Sequence, residues 1–194
     1  MTEIIQNPNV MKRVQEELAQ VVGMDNIVEE SHVAKLKYLD ATVKETLRLH
    51  PAGLFLVPRT PSQDCVLGGY TVPKGCTVLV NAWKIQRDPQ YWDNPLEFNP
   101  DRFLTGDLAN NKGDYYGCNM NFLPFGSGKR VCPAIPLAKR LQMYLLASLL
   151  HSFDWSFPGG EKPDLSEKWD LGRKKLKPLM VIPSQRLSSI SLYM

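Results

Sequence analysis

Paired cysteines are missing from this chain. The four cysteines, at 65, 76, 118 and 132, form no C-x-x-C pair and no dense framework. That excludes a disulfide scaffold and favours a reducing compartment or a cytosol-facing domain. Long apolar runs are missing too. The longest in the C-terminal half, Met143 to Ala147, has five residues, far below the ~20 that a membrane span needs. The N-terminus has no charged segment followed by an apolar one, so neither a signal peptide nor an anchor reads there. No charge of one sign dominates: the net +3 is too small to argue for nucleic acid. Repeats and low-complexity tracts are absent. His32 and His151 lack metal-ligand spacing and read as ordinary. What remains is 194 residues, 43% apolar, enough for one globular unit with a core.

The most informative stretch is Phe125-Gly-Ser-Gly-Lys-Arg-Val-Cys132. It places one cysteine after a glycine-containing, doubly basic loop. Gly128 lets the backbone turn where a side chain would clash. An apolar, helix-like stretch runs from Pro133 to Leu150, with Pro133 suited to a first helical position. Cys132 would then lie near helix-start N–H groups, which stabilise negative charge on sulfur. A lone cysteine is more often a buried structural thiol than a ligand. The surrounding loop shifts the reading towards a single thiolate presented to a metal.

These residues resemble a known family. FGSGKRVC matches F-x-x-G-x-R-x-C, the haem-ligand loop of the cytochrome P-450 superfamily. Glu45-Thr46-Leu47-Arg48 matches its E-x-x-R motif, and Pro100-Asp101-Arg102-Phe103 its P-E/D-R-F box, in the family's order. The phrasing KETLRLHP and FLPFGSGKRVCP is similar to the plant microsomal branch that oxidises terpenoids and phenolics. The resemblance spans about Thr2 to Pro183, leaving 184–194 as an unmatched tail. It implies a mainly α fold with a minor β region, the C-terminal part of such a domain. Met1 to Ile5 resembles the end of the family's long central helix. The oxygen-activating motif, the distal half and the anchor would lie upstream, so no catalytic residue is assigned.

Without the family, residues 8–22 read as an amphipathic helix. Val10, Val14, Leu18 and Val21 recur at helical spacing, Asn7 is a suitable N-cap, Pro8 fits the first position and Gly23 ends it. Ser31 opens a short helix to Leu36. Leu39, Val43 and Leu47 mark another, stopped by Pro51. Tyr70–Val72 and Thr77–Val80 predict a small antiparallel sheet. Residues 88–124 form a long irregular but packed segment. Leu137, Leu141, Leu145 and Leu149 define the helix after Cys132, and 171–182 a last hairpin.

The resemblance assigns roles. Cys132 becomes the axial ligand of haem b iron, with Phe125, Gly128, Arg130 and Arg59 around the cofactor. Arg130 and Arg59 are matched donors for the propionates; alone, Arg130 could equally be a solvated loop charge. Ala134 departs from the family, which usually has Gly there. Glu45 and Arg48, one turn apart, could be an exposed ion pair. By resemblance they meet Arg102 in a buried structural triad that holds the cysteine loop. His50 could face the haem edge or cap its helix. Leu54, Phe55, Leu56 and Val57 are either plain core strand or an apolar substrate wall, and Leu171 to Lys174 is a weaker candidate for that wall.

Lys129, Lys139 and Arg140 form a solubilising face or a docking patch for an acidic flavoprotein. The implied activity is haem-thiolate monooxygenation of a small apolar natural product, terpenoid or phenolic. Electrons would come from NADPH-cytochrome reductase at the cytosolic face of the endoplasmic reticulum. Without its anchor the chain itself could be cytosolic. The alternatives are a non-catalytic truncated fragment, and a haem-binding or interaction module without turnover.

Overall fold

The computed structural model describes residues 1–105, 108–109, 115–160, 164–169 and 172–193. Helix α1 (Thr2–Gln6) leads into α2 (Pro8–Val21), then α3 (Glu30–Val33), α4 (Lys37–Leu49), α5 (Ala82–Ile85) and the long α6 (Ile135–Ser152). Among the described residues the strands form three two-stranded antiparallel pairs. These are β1 (Cys65–Leu67) with β2 (Tyr70–Val72), β3 (Phe153–Ser156) with β6 (Ile182–Gln185), and β4 (Glu167–Trp169) with β5 (Arg173–Lys175). No helix of the described residues is long and apolar enough to cross a membrane.

The core lies where α2, α4 and α6 meet. Val14 and Leu18 from α2, Leu39 and Val43 from α4, and Met143, Ala147 and Leu150 from α6 are all buried there. Apolar burial of this kind contributes roughly 1.5–3 kcal/mol per large side chain. Small Ala147 lets α6 approach its neighbours closely. Asn7 precedes α2, but its amide does not cap that helix. It donates back to the Glu3 carbonyl at 2.8 Å instead, while Pro8 at the helix start needs no N–H partner.

Several expectations are corrected. α6 begins at Ile135, two residues past Pro133. The Leu137–Leu149 series, expected to define the helix after Cys132, does lie on α6 and forms its exposed face: these four leucines are 67%, 53%, 51% and 37% exposed. An i, i+4 series identifies a face but not the direction in which it points. The opposite face, with Met143 and Ala147, is buried. The short helix is Glu30–Val33, with Glu29 and His32 capping each other, rather than Ser31 to Leu36.

Thr77–Val80 is not a strand beyond a single bridge between Arg59 and Val78. The partner of Tyr70–Val72 is Cys65–Leu67, across the Gly68-Gly69 turn, whose φ angles are +56° and +85°. Two positive φ values are what a tight two-residue hairpin requires. The expected 171–182 hairpin divides: β5 pairs back to β4, and β6 pairs with β3 at the end of α6. Leu171 itself lies outside the described residues. The tail folds back on α6, where the Tyr193 hydroxyl donates to the Ser152 carbonyl at 2.6 Å.

Candidate functional site

The site is built from the back of the cysteine loop forwards. Glu45 and Arg48 lie one turn apart on α4, and both side chains are fully buried. Arg48 Nε and Nη2 fork onto the two Glu45 oxygens at 2.7 and 2.8 Å. Its remaining N–H groups donate to the carbonyls of Gln86, Pro95 and Glu97. All five guanidinium donors are therefore used. The Arg48 guanidinium also lies 5.0 Å from the Trp92 ring centroid. Glu45 Oε1 accepts from the Asn99 N–H at 2.9 Å and from Arg102 Nε at 3.3 Å. Arg102 donates onward to the Asn94 carbonyl. A buried ion pair is tolerable only when fully paired in this way. The network thus binds α4 to the irregular segment between α5 and the turn at Pro100–Phe103.

That segment is tied down a second time. Arg13 of α2 forks onto Asp101 with two contacts of 2.7 Å. The Arg13 hydrogen bond holds the Asp101 carboxyl below its ordinary range. Phe103 stacks obliquely on Phe122, with centroids 5.0 Å apart, and Tyr115 continues the aromatic layer to Phe125 at 6.2 Å. Burial, with Asp40 beside it, pushes the Tyr115 phenol far above its ordinary value. Tyr115 donates to Asp40 at 3.0 Å, and Asp40 also receives Lys44 and Lys139.

The cysteine loop rests on this layer. Cys132 is a free, half-buried thiol, and its N–H donates to the Phe125 carbonyl at 3.1 Å, closing the loop. Gly126 and Gly128 have φ of +78° and +66°, a region that side chains rarely adopt. A Cβ at Gly128 would meet nothing within 4 Å, so space opens beside the loop. A Cβ at Gly126 would lie 3.9 Å from an Arg59 guanidinium nitrogen and 3.9 Å from a Leu56 methyl. Arg59 and Leu56 therefore lie against the loop. Leu56 has φ of +51°, a strained value for leucine. Arg130 and Lys129 are exposed.

The four candidate wall residues do not face one way. Leu54 is buried and Leu56 half-buried, while Phe55 and Val57 are 40% and 80% exposed. A cavity of about 670 Å³ lies elsewhere, between α3, α4 and the start of α6, lined by Asp40, Lys44, Lys139 and Arg140 among others. Lys139 and Arg140 are not free charges: they pair with Asp40 at 3.1 Å and Glu30 at 2.9 Å.

His50 is held between carboxylates, Glu3 at 2.6 Å and Glu167 at 2.5 Å. Burial lowers its pKa, but the hydrogen bonds that it donates to Glu3 and Glu167, with their charges, outweigh burial and leave it raised. It thus joins α1, the end of α4 and β4. Sequence reading also passed over Gly117. A Cβ there would lie 2.4 Å from the Gly126 carbonyl oxygen. A glycine in a turn-rich stretch carries no signal that another backbone presses against it.

Comparison with known proteins follows the same outline. The cytochrome P450 family model matches residues 1–182. A geranylhydroquinone 3''-hydroxylase of Arnebia euchroma is 48% identical over 186 residues, 94% of this chain and 36% of that protein. A geraniol 8-hydroxylase of Catharanthus roseus is 46% identical over 187 residues, 95% of this chain and 37% of its own length. A zebra fish cytochrome P450 solved with abiraterone superposes with a TM-score of 0.82 at 35% identity, covering 95% of this chain and 41% of that one. The chain spans little more than a third of the curated relatives it matches. Within that third, the match runs from α1 through the cysteine loop to β6, and the chain belongs to the cytochrome P450 family.

Proposed function

We propose that this chain is the thiolate-bearing part of a plant-type monooxygenase, with Cys132 as the axial ligand of haem b. One observation carries the reading. A free, half-buried cysteine ends a loop closed by its own N–H onto Phe125, and the Arg59 guanidinium lies against that loop at Gly126. The residues fit the group. The Cys132 thiol is a soft ligand for iron, and Arg130 and Arg59 suit the carboxylates of the macrocycle. When bound, haem with a thiolate ligand supplies oxygen activation, insertion of one oxygen atom and release of the other as water.

The rest is this chain's own work. Cys132 donates the sulfur, and Phe125 closes the loop behind it. Arg130 and Arg59 orient the cofactor. Glu45, Arg48 and Arg102 fix the platform from which the loop projects. Of Leu54, Phe55, Leu56 and Val57, the exposed Phe55 and Val57 offer apolar surface to a substrate, while Leu54 packs inward. The relatives act on prenylated and monoterpenoid compounds by name, which supports a small apolar terpenoid or phenolic substrate here. Lys129, with the shared charges of Lys139 and Arg140, suits an acidic reductase that delivers electrons from NADPH. The endoplasmic reticulum surface is the matching location. Haem binding without turnover is the second reading, favoured by the exposure of Phe55 and Val57.

The test is a substrate-induced change in the haem absorption of a full-length protein that carries this segment, followed by product analysis with NADPH and a plant reductase. A panel of monoterpene alcohols and prenylated phenols should yield hydroxylated product. Haem loading without product from any of them would favour the second reading.

A further inference from the structure

We infer that Gln86 is a positioning residue for the cysteine loop. Gln86 follows α5 and is fully buried. Its side chain makes three hydrogen bonds to two different elements. Nε2 donates to the carbonyls of Leu47 and Arg48, both at 3.2 Å, at the C-terminal end of α4. Oε1 accepts the Leu123 N–H at 2.8 Å, two residues before Phe125. Its own carbonyl accepts from Arg48 Nη1 at 2.9 Å.

The α4 terminus would otherwise leave carbonyls without partners. The Leu123 N–H would be a buried donor with none. One amide satisfies both needs, because it carries two N–H donors and a carbonyl acceptor at the same end. The glutamine therefore couples the Glu45–Arg48 network to the irregular segment entering the loop. The network holds α4, and Gln86 passes that position on to Leu123 and so to Phe125, whose carbonyl holds the Cys132 N–H. The hydrogen bonds of Arg48 and Arg102 described above go to Glu45, Gln86, Asn94, Pro95 and Glu97, none of which belongs to the loop. No carboxylate, hydroxyl or aliphatic side chain of this length could do the same. The link to sulfur chemistry rests on the haem-thiolate reading, but the ordering of the loop does not.

Amide hydrogen exchange on the full chain tests it. In the wild type, the Leu123 amide should exchange as slowly as those of Leu18 and Leu150, although it lies in a loop. A fast Leu123 amide would overturn the inference without any substitution. Gln86→Met keeps the volume and removes all three side-chain hydrogen bonds. Amides 122–132 should then exchange about tenfold faster, the factor expected of one lost buried hydrogen bond, while α2 and α6 amides hold within about twofold. An unchanged loop, or an equal rise throughout the chain, would overturn it.

Gln86→Glu keeps the acceptor for Leu123, so its loop amides should fall between the other two; exchange as fast as in Gln86→Met would count against the bond to Leu123. Haem titration of the same proteins separates the two ideas. Should wild type bind haem without a thiolate signature, the functional reading fails while the exchange result stands.

Discussion

Helices α4 and α6 invert the usual relation between composition and burial. α4 carries Lys44, Glu45 and Arg48, and all three are buried. α6 is rich in leucine, and four of those leucines are open to solvent. Hydropathy alone would have placed these helices the other way round. What decides burial here is partner supply. Arg48 finds five acceptors and Glu45 finds donors from α4, Asn99 and Arg102, so charge is retained inside. The leucines of α6 find no apolar surface among the described residues and remain outside.

The largest effect should come from breaking the buried side of that contrast. Arg48→Ala strands Glu45 in a dry site and should lower unfolding free energy by about 3–5 kcal/mol. Chemical denaturation measures it, and a loss below ~1 kcal/mol would put Arg48 in the class of exposed ion pairs. Gly117→Ala should rank next. Its φ is +70°, and its Cβ would lie 2.4 Å from the Gly126 carbonyl oxygen. A cost of about 2–3 kcal/mol is expected, together with faster exchange of the loop amides. A neutral Gly117→Ala would show that the loop does not press on that turn.

The third effect is a pH dependence. His50 has a raised pKa in the folded chain. Its stabilisation is therefore complete below the unfolded value of ~6.5 and is lost as pH rises through the raised folded value. Stability should fall over that window above pH ~6.5, and His50→Gln should remove the fall. His151 has the opposite sign. Burial lowers its pKa, so its contribution is present above ~6.5 and lost as pH falls through the lowered value. An unchanged pH profile in His50→Gln would mean that Glu3 and Glu167 do not hold a charged imidazole.

The smallest effect should come from the open side. Leu141→Glu with Leu145→Glu should change stability by no more than about 0.5 kcal/mol. It should also reduce self-association of the chain in sedimentation experiments. A large loss of stability would show that this face is packed after all.

Much of this architecture was legible in the sequence because its signals are local. Val10, Val14 and Leu18 give α2 by period alone, and Pro8 and Gly23 bound it. The loop from Phe125 to Cys132 announces itself by a fixed spacing of unlike residues. The triad was legible only through resemblance, since Glu45 and Arg48 on a helix look like any surface pair until Arg102 joins them from 57 positions away in sequence. Gln86 and Gly117 carried no signal, because their roles depend on backbone atoms of distant segments. The leucine period marked α6 itself, but a period cannot say which side has neighbours.

The most direct measurement is the absorption spectrum of the reduced, CO-bound, haem-loaded protein, for wild type and Cys132→Ser side by side. The expected result is a thiolate-type Soret band in the wild type that disappears in the variant. The same thiolate-type band in both proteins would contradict Cys132 as the ligand.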